Sequence, residues 1–136
     1  MRRRTFLHRL LGALGIGISG RIPAHEIGLD PGRPILLQES PLAGYQYHRG
    51  PGIWPFLQPG ERLILRREPA NRHDPYAIAV WFRNDHLGYV PRRENQTLAQ
   101  MMDRGEQLEA RITRLLEDDN PWRRIRFRID LKPRYS

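Results

Sequence analysis

Residues 60–91 open with Gly60-Glu61-Arg62-Leu63-Ile64-Leu65-Arg66-Arg67-Glu68-Pro69-Ala70-Asn71-Arg72-His73-Asp74-Pro75-Tyr76-Ala77-Ile78-Ala79-Val80 and close with Leu87-Gly88-Tyr89-Val90-Pro91. Leu63 to Arg67 and Ala77 to Phe82 are aliphatic, β-branched runs of strand composition. Between them, Pro69 and Pro75 remove backbone donors and stop both strands. Asp74 precedes a proline, which pushes its backbone to an extended conformation. Asn84-Asp85 predicts the turn of a hairpin from Phe82 to Leu87.

Working outward, Ile35 to Glu39 predict a first strand. Gly44-Tyr45-Gln46-Tyr47-His48-Arg49-Gly50 has glycine at both ends and predicts a loop or a short strand with mobile ends. Pro91 to Arg104 predict the one helix: proline suits its first turn, Leu98, Met101 and Met102 make one apolar face, and Gly105 stops it. Leu108, Ala110 and Ile112, then Ile125, Phe127 and Ile129, alternate with polar residues, the period of a half-buried strand. The fold class expected is mainly β with one helix, a small six-stranded barrel or sandwich. The predicted domain spans 35–132, after a linker at 25–34 and before a tail at 133–136.

The 136 residues carry net charge +8, and residues 1–24 supply +5 of it from Arg2, Arg3, Arg4, Arg9 and Arg21. In the remainder, 18 basic residues face 15 acidic ones, so the predicted domain is only mildly basic. Lys132 is the one lysine; the other cations are guanidinium forks that suit phosphate and stack on bases. Arginine content can equally follow base composition of the genome. The absence of cysteine excludes disulfides, a thiol nucleophile, a cysteine-borne lipid anchor and Cys-based zinc sites. The five histidines show no pair at a helical metal spacing, so no metal or other cofactor is expected.

Arg3-Arg4-Thr5-Phe6-Leu7 resembles a twin-arginine (Tat) export signal. Leu10 to Ile18 follow as nine uncharged residues, too few for the roughly 20 of a spanning helix. Export to a bacterial periplasm is the implication, with cleavage at Gly17-x-Ser19 or Ile22-x-Ala24 left open. A start-site error or a basic tail, with a cytoplasmic protein, is the alternative.

Three sets of side chains are candidates for function. Arg124, Arg126 and Arg128 share a face of the last strand, about 6.6 Å apart at strand rise, near the phosphate spacing of an extended single strand. An ordinary solvated face paired with Glu109 or Glu117 is the alternative. Among the aromatics, Tyr45 and Tyr47 sit in the glycine-flanked loop beside His48 and Arg49, where π-faces and cations meet. Trp81, Tyr89 and Phe127 fall within strand patterns and are expected in the core. In the turn, Asn71, His73 and Asp74 are polar; Asp74 would repel a phosphate but accept a hydrogen bond from a free sugar hydroxyl. An Asx-turn in which Asn71 and Asp74 bind their own backbone is the alternative.

The order of these motifs resembles the HIRAN domain: a glycine, an apolar strand ending in Arg67-Glu68-Pro69, Asn71 and Asp74, Ala77-Ile78-Ala79-Val80, then Gly88-Tyr89-Val90-Pro91. The resemblance spans about residues 35–132. It implies a small β-rich module that binds nucleic acid, with a single-stranded 3′ end held between the loop after the first strand and the Asn…Asp turn. Carried over, the loop pair falls on Gln46 and Tyr47 and the turn pair on His73 and Asp74, with Asn71 at the turn asparagine. Gln46 stands where the family has arginine, and His73 where it has tyrosine. Tyr47 would stack the end base, Asp74 and His73 would meet the 3′ terminus, and Gln46 and Arg49 would approach phosphate.

Catalysis is not expected. There is no phosphate loop, Ser19, Ser40 and Ser136 lie in no nucleophile elbow, and adjacent residues such as His73 and Asp74 point apart on an extended chain. The expected partner is single-stranded nucleic acid, DNA ends above all. A periplasmic interaction module holding a peptide or envelope partner in the same groove is the alternative.

Overall fold

The computed structural model describes residues 32–133. The Tat-like segment, the linker before Gly32 and the tail after Pro133 lie outside the described residues. Six strands, β1 (Ile35–Pro41), β2 (Arg62–Arg67), β3 (Ile78–Phe82), β4 (Asp85–Tyr89), β5 (Leu108–Leu115) and β6 (Ile125–Leu131), form one antiparallel sheet in the order β1-β6-β5-β2-β3-β4. Among the described residues two helices accompany it, α1 (Gly50–Ile53) and α2 (Gln96–Asp103), with 3-10 turns at Tyr45–Tyr47, Trp54–Phe56, Arg92–Glu94 and Pro121–Arg123.

Period two decides the faces. Ile78, Val80 and Phe82 turn inward with Ala110, Ile112, Ile125, Phe127 and Ile129, all almost wholly buried. Leu98 and Ala99 of α2 join that core. The outer face carries the residues in between. On β3 these are Ala79 and Trp81, in register with Tyr89 and His86 of β4. Trp81 and Tyr89 are therefore half-buried on the outer face and not core residues; of the three aromatics expected inside, Phe127 is there.

The helix is shorter than Pro91 to Arg104. Pro91 starts a 3-10 turn, and Asn95, buried and drawn toward Asp74, precedes the first α-helical residue. The C-terminus ends as expected: Gly105 has φ 91°, Gly105 N donates to Met102 O and Glu106 N to Met101 O. The hairpin turn is Arg83-Asn84, one residue earlier than Asn84-Asp85, because Asp85 already pairs with Phe82 in the ladder. Arg83 takes the positive φ, 54°, that this tight connection needs.

The sheet is not closed into a barrel. One isolated bridge spans its ends: just beyond β1, Ala43 N donates to Tyr89 O at 2.9 Å, and Tyr89 N to Ala43 O at 2.8 Å. Arg49 N adds a bond to His86 O at 2.9 Å, so the segment after β1 lies along the edge of β4. Close approach explains Gly88. A Cβ there would land on the Ala43 carbonyl oxygen, and backbone cannot swing aside.

Gly88→Ala should therefore lower stability by about 1–3 kcal/mol, the usual cost of overpacking. Gly52, whose Cβ position meets nothing, gives the control Gly52→Ala. Thermal melting of both checks this; equal melting temperatures would mean the Ala43 segment does not press on Gly88.

Candidate nucleic-acid interface

The turn between β2 and β3 is held by its own side chains. Asn71 Oδ1 accepts from His73 N and Asp74 N at 2.9 and 3.1 Å, and Asn71 Nδ2 donates to Glu68 Oε1 at 3.0 Å. Asp74 Oδ1 accepts from Tyr76 N at 2.9 Å, and its Oδ2 accepts from Asn95 Nδ2 at 2.7 Å. Arg67 donates to the Ala77 and Pro75 carbonyls and forks onto Asp103 of α2 at 2.9 and 3.1 Å. Its guanidinium holds the Asp103 carboxyl below the usual carboxylate range. The Asx-turn geometry is thus present at both Asn71 and Asp74.

Across from the turn stands the loop after β1, fixed by the Ala43–Tyr89 bridge. Between them opens a cleft of about 560 Å³, lined by Tyr47 and His48 from the loop, Asn71, His73 and Asp74 from the turn, Tyr89 at the end of β4 and Arg92 beyond it. Tyr47 is 79% exposed. His73 and Asp74 line the same cleft: they lie in a bend, so the alternation of an extended chain does not separate them. Asp74 spends two acceptor positions on the fold, and a carboxylate offers about four. It can still accept a hydrogen bond from a ligand hydroxyl.

The cleft wall is aromatic. The His48 and His86 rings lie 4.1 Å apart, His86 stacks on Trp81 at 5.0 Å, and Tyr89 meets both histidines edge-on. Tyr89 Oη donates to Glu68 Oε1 at 2.8 Å. Burial, reinforced by that bond and the Glu68 charge, pushes the Tyr89 phenol up to about 12. Burial and the neighbouring His86 lower the His48 pKa, against a smaller opposing pull from Glu68.

The remaining predicted residues lie elsewhere. Gln46 is exposed but does not line the cleft. Arg49 also stays out of it, reaching Asp85 at 3.3 Å. Tyr45 is buried at 4%, packed on Gly50 and edge-on to Trp54. The arginine track along the last strand does not form. Arg124 precedes β6, donates to Asp118 O at 2.8 Å and lies over the Trp54 ring at 4.2 Å. Arg126 reaches Glu39 at 3.6 Å, and Arg128 forks onto Asp130 with a shortest contact of 2.7 Å. Their partners are Glu39 and Asp130, not Glu109 or Glu117.

Sequence reasoning missed Tyr89 and Arg92 as cleft residues and named His48 only as a neighbour of Tyr47. Strand parity carried the signal for Tyr89, since it pairs with Ala79 on the face opposite Ile78 and Val80. Arg92 is the first cation after the strand-ending Pro91.

Comparison with known proteins agrees with this geometry. The HIRAN domain model matches residues 35–133. The chain belongs to the HIRAN domain family, and membership implies a nucleic-acid partner. Among solved structures, it is similar to a protein from Lactobacillus plantarum at 27% identity and TM-score 0.58, covering 72% of this chain and 97% of that one. It shares the fold of the HIRAN domain of human HLTF, at 22% identity and TM-score 0.57, covering 74% of this chain and 79% of that one. No curated protein matches the chain.

The lowered His48 pKa gives a pH prediction. Folding favours neutral His48, so its stabilisation is complete above the unfolded value of about 6.5 and is lost as pH falls through the lower folded value. Melting temperature should drop between roughly pH 7 and pH 5, and drop less in His48→Gln. Parallel pH profiles for the two proteins would remove His48 as the cause.

Proposed function

We propose that the cleft binds the end of a single-stranded nucleic acid, DNA with a free 3′ terminus, and performs no chemistry on it. The observation that carries this is convergence: an exposed tyrosine ring, a histidine, an arginine and a carboxylate with spare acceptor capacity face one 560 Å³ space. A ring as open as Tyr47 can stack on a base, a contact worth about 1–3 kcal/mol. His73 offers a second flat face. Arg92 supplies the phosphate contact that Gln46 and Arg49, outside the cleft, do not. Asp74 accepts from the terminal hydroxyl and disfavours a phosphate in the same place. Its two internal bonds hold it as a fixed acceptor.

The Tat-like segment adds a separate proposal, that the chain is exported. A processed chain in the periplasmic fraction would support it, and an unprocessed cytoplasmic chain would sink it.

Fluorescence anisotropy of the full chain with a short oligonucleotide ending in 3′-OH or 3′-phosphate tests the cleft. The 3′-OH form should bind more tightly, and Tyr47→Ala should weaken it about 10-fold, within the range for one stacked base. Equal affinity for the two ends would defeat end recognition. No loss in Tyr47→Ala would place binding outside the cleft.

A further inference from the structure

The outer face of the sheet holds arginines directly opposite one another. Arg62 of β2 pairs with Arg111 of β5, and Arg111 with Arg128 of β6. One step along, Arg114 of β5 pairs with Arg126 of β6. Neighbouring strands lie about 4.8 Å apart, and like charges directly opposite are destabilising. Glu39 and Asp130 engage Arg126 and Arg128 at the β6 side. Arg62, Arg111 and Arg114 are exposed, and Arg111 donates one bond to Gly60 O. A folded sheet that sets arginine against arginine in two registers is complementary to a polyanion.

The same face is continuous with the cleft. From Tyr89 and His86 on β4 it passes to Trp81 on β3, then to Arg66 on β2, whose guanidinium lies 4.3 Å over the Trp81 ring. Ile64, also on this face and exposed, pairs with Trp81. Arg62 is the next outward residue of β2. The path crosses from β4 over β3 to β2, runs along β2 to Arg62, and crosses again to Arg111 of β5.

We infer that the outer face of β2 and β5 carries the phosphodiester backbone of the strand whose end occupies the cleft. The chain leaves the cleft over Trp81 and crosses the sheet, with Arg66, Arg62, Arg111 and Arg114 meeting successive phosphates. This rests on the end-binding reading for its direction, but the arginine face can be tested apart from it.

The test compares a trinucleotide, which fills only the cleft, with a single strand several times longer, using the full chain and the variant Arg62→Gln/Arg114→Gln. The longer strand should bind the parent more tightly than the trinucleotide. The variant should lose roughly 2- to 5-fold per arginine for the longer strand, the strength of an exposed ion pair. Its slope of log affinity against log salt should flatten by about 0.7 per lost contact. Trinucleotide affinity should not change, and an unchanged melting curve shows the variant folded. Equal affinity of trinucleotide and longer strand, or an unaltered salt slope, would overturn the inference and leave the cleft reading standing. Loss of trinucleotide binding alone, with the arginine effect intact, would do the reverse.

Discussion

Two backbone hydrogen bonds between Ala43 and Tyr89 hold the site together. The sheet order leaves β1 and β4 at opposite edges, so nothing in the ladders brings the loop after β1 near the β2–β3 turn. The bridge does, and it demands a residue without a side chain at Gly88. Once it forms, Arg49 N binds His86 O, His48 lies against His86, and Tyr47 faces the cleft from a 3-10 turn. Binding would then meet a loop that is already placed, and little ordering entropy remains to be lost on association.

The opposite wall is rigid for a different reason. Glu68, Asn71, Asp74 and Asn95 satisfy one another and the backbone between the two prolines, while Arg67 ties the turn to α2. Polar networks of this kind are stable when each member is satisfied. The wall also anchors Tyr89 through Glu68, so turn, loop and β4 share one set of bonds.

Much of the fold was legible because period two is a local signal. The inward residues of β3, β5 and β6 stand at the alternate positions their sequences show, and Gly105 closes α2 as its lack of a side chain allows. The short 3-10 turns and the edge-to-edge bridge were not legible, since each depends on what a distant segment packs against. The site divides in the same way. Asn71, His73 and Asp74 sit in one turn and were found together. His48 enters only because Ala43 crosses Gly88, whereas strand parity already turned Tyr89 outward. The arginines of β6 misled because spacing along one strand says nothing of Glu39 and Asp130 alongside it.

The hydrogen bonds of the β2–β3 turn bear on how this sequence signature should be read in other chains. Asn71 serves as donor and acceptor at once. An aspartate there would set a carboxylate against Glu68, and a serine would be too short to reach both sides. Arg67, Glu68, Asn71, Asp74 and Gly88 can each be accounted for by folding alone. A descendant could therefore drift to a new ligand, or to none, with its signature untouched. Divergence in what such domains bind would be written instead at positions the fold leaves free, here Tyr47, His73 and Arg92.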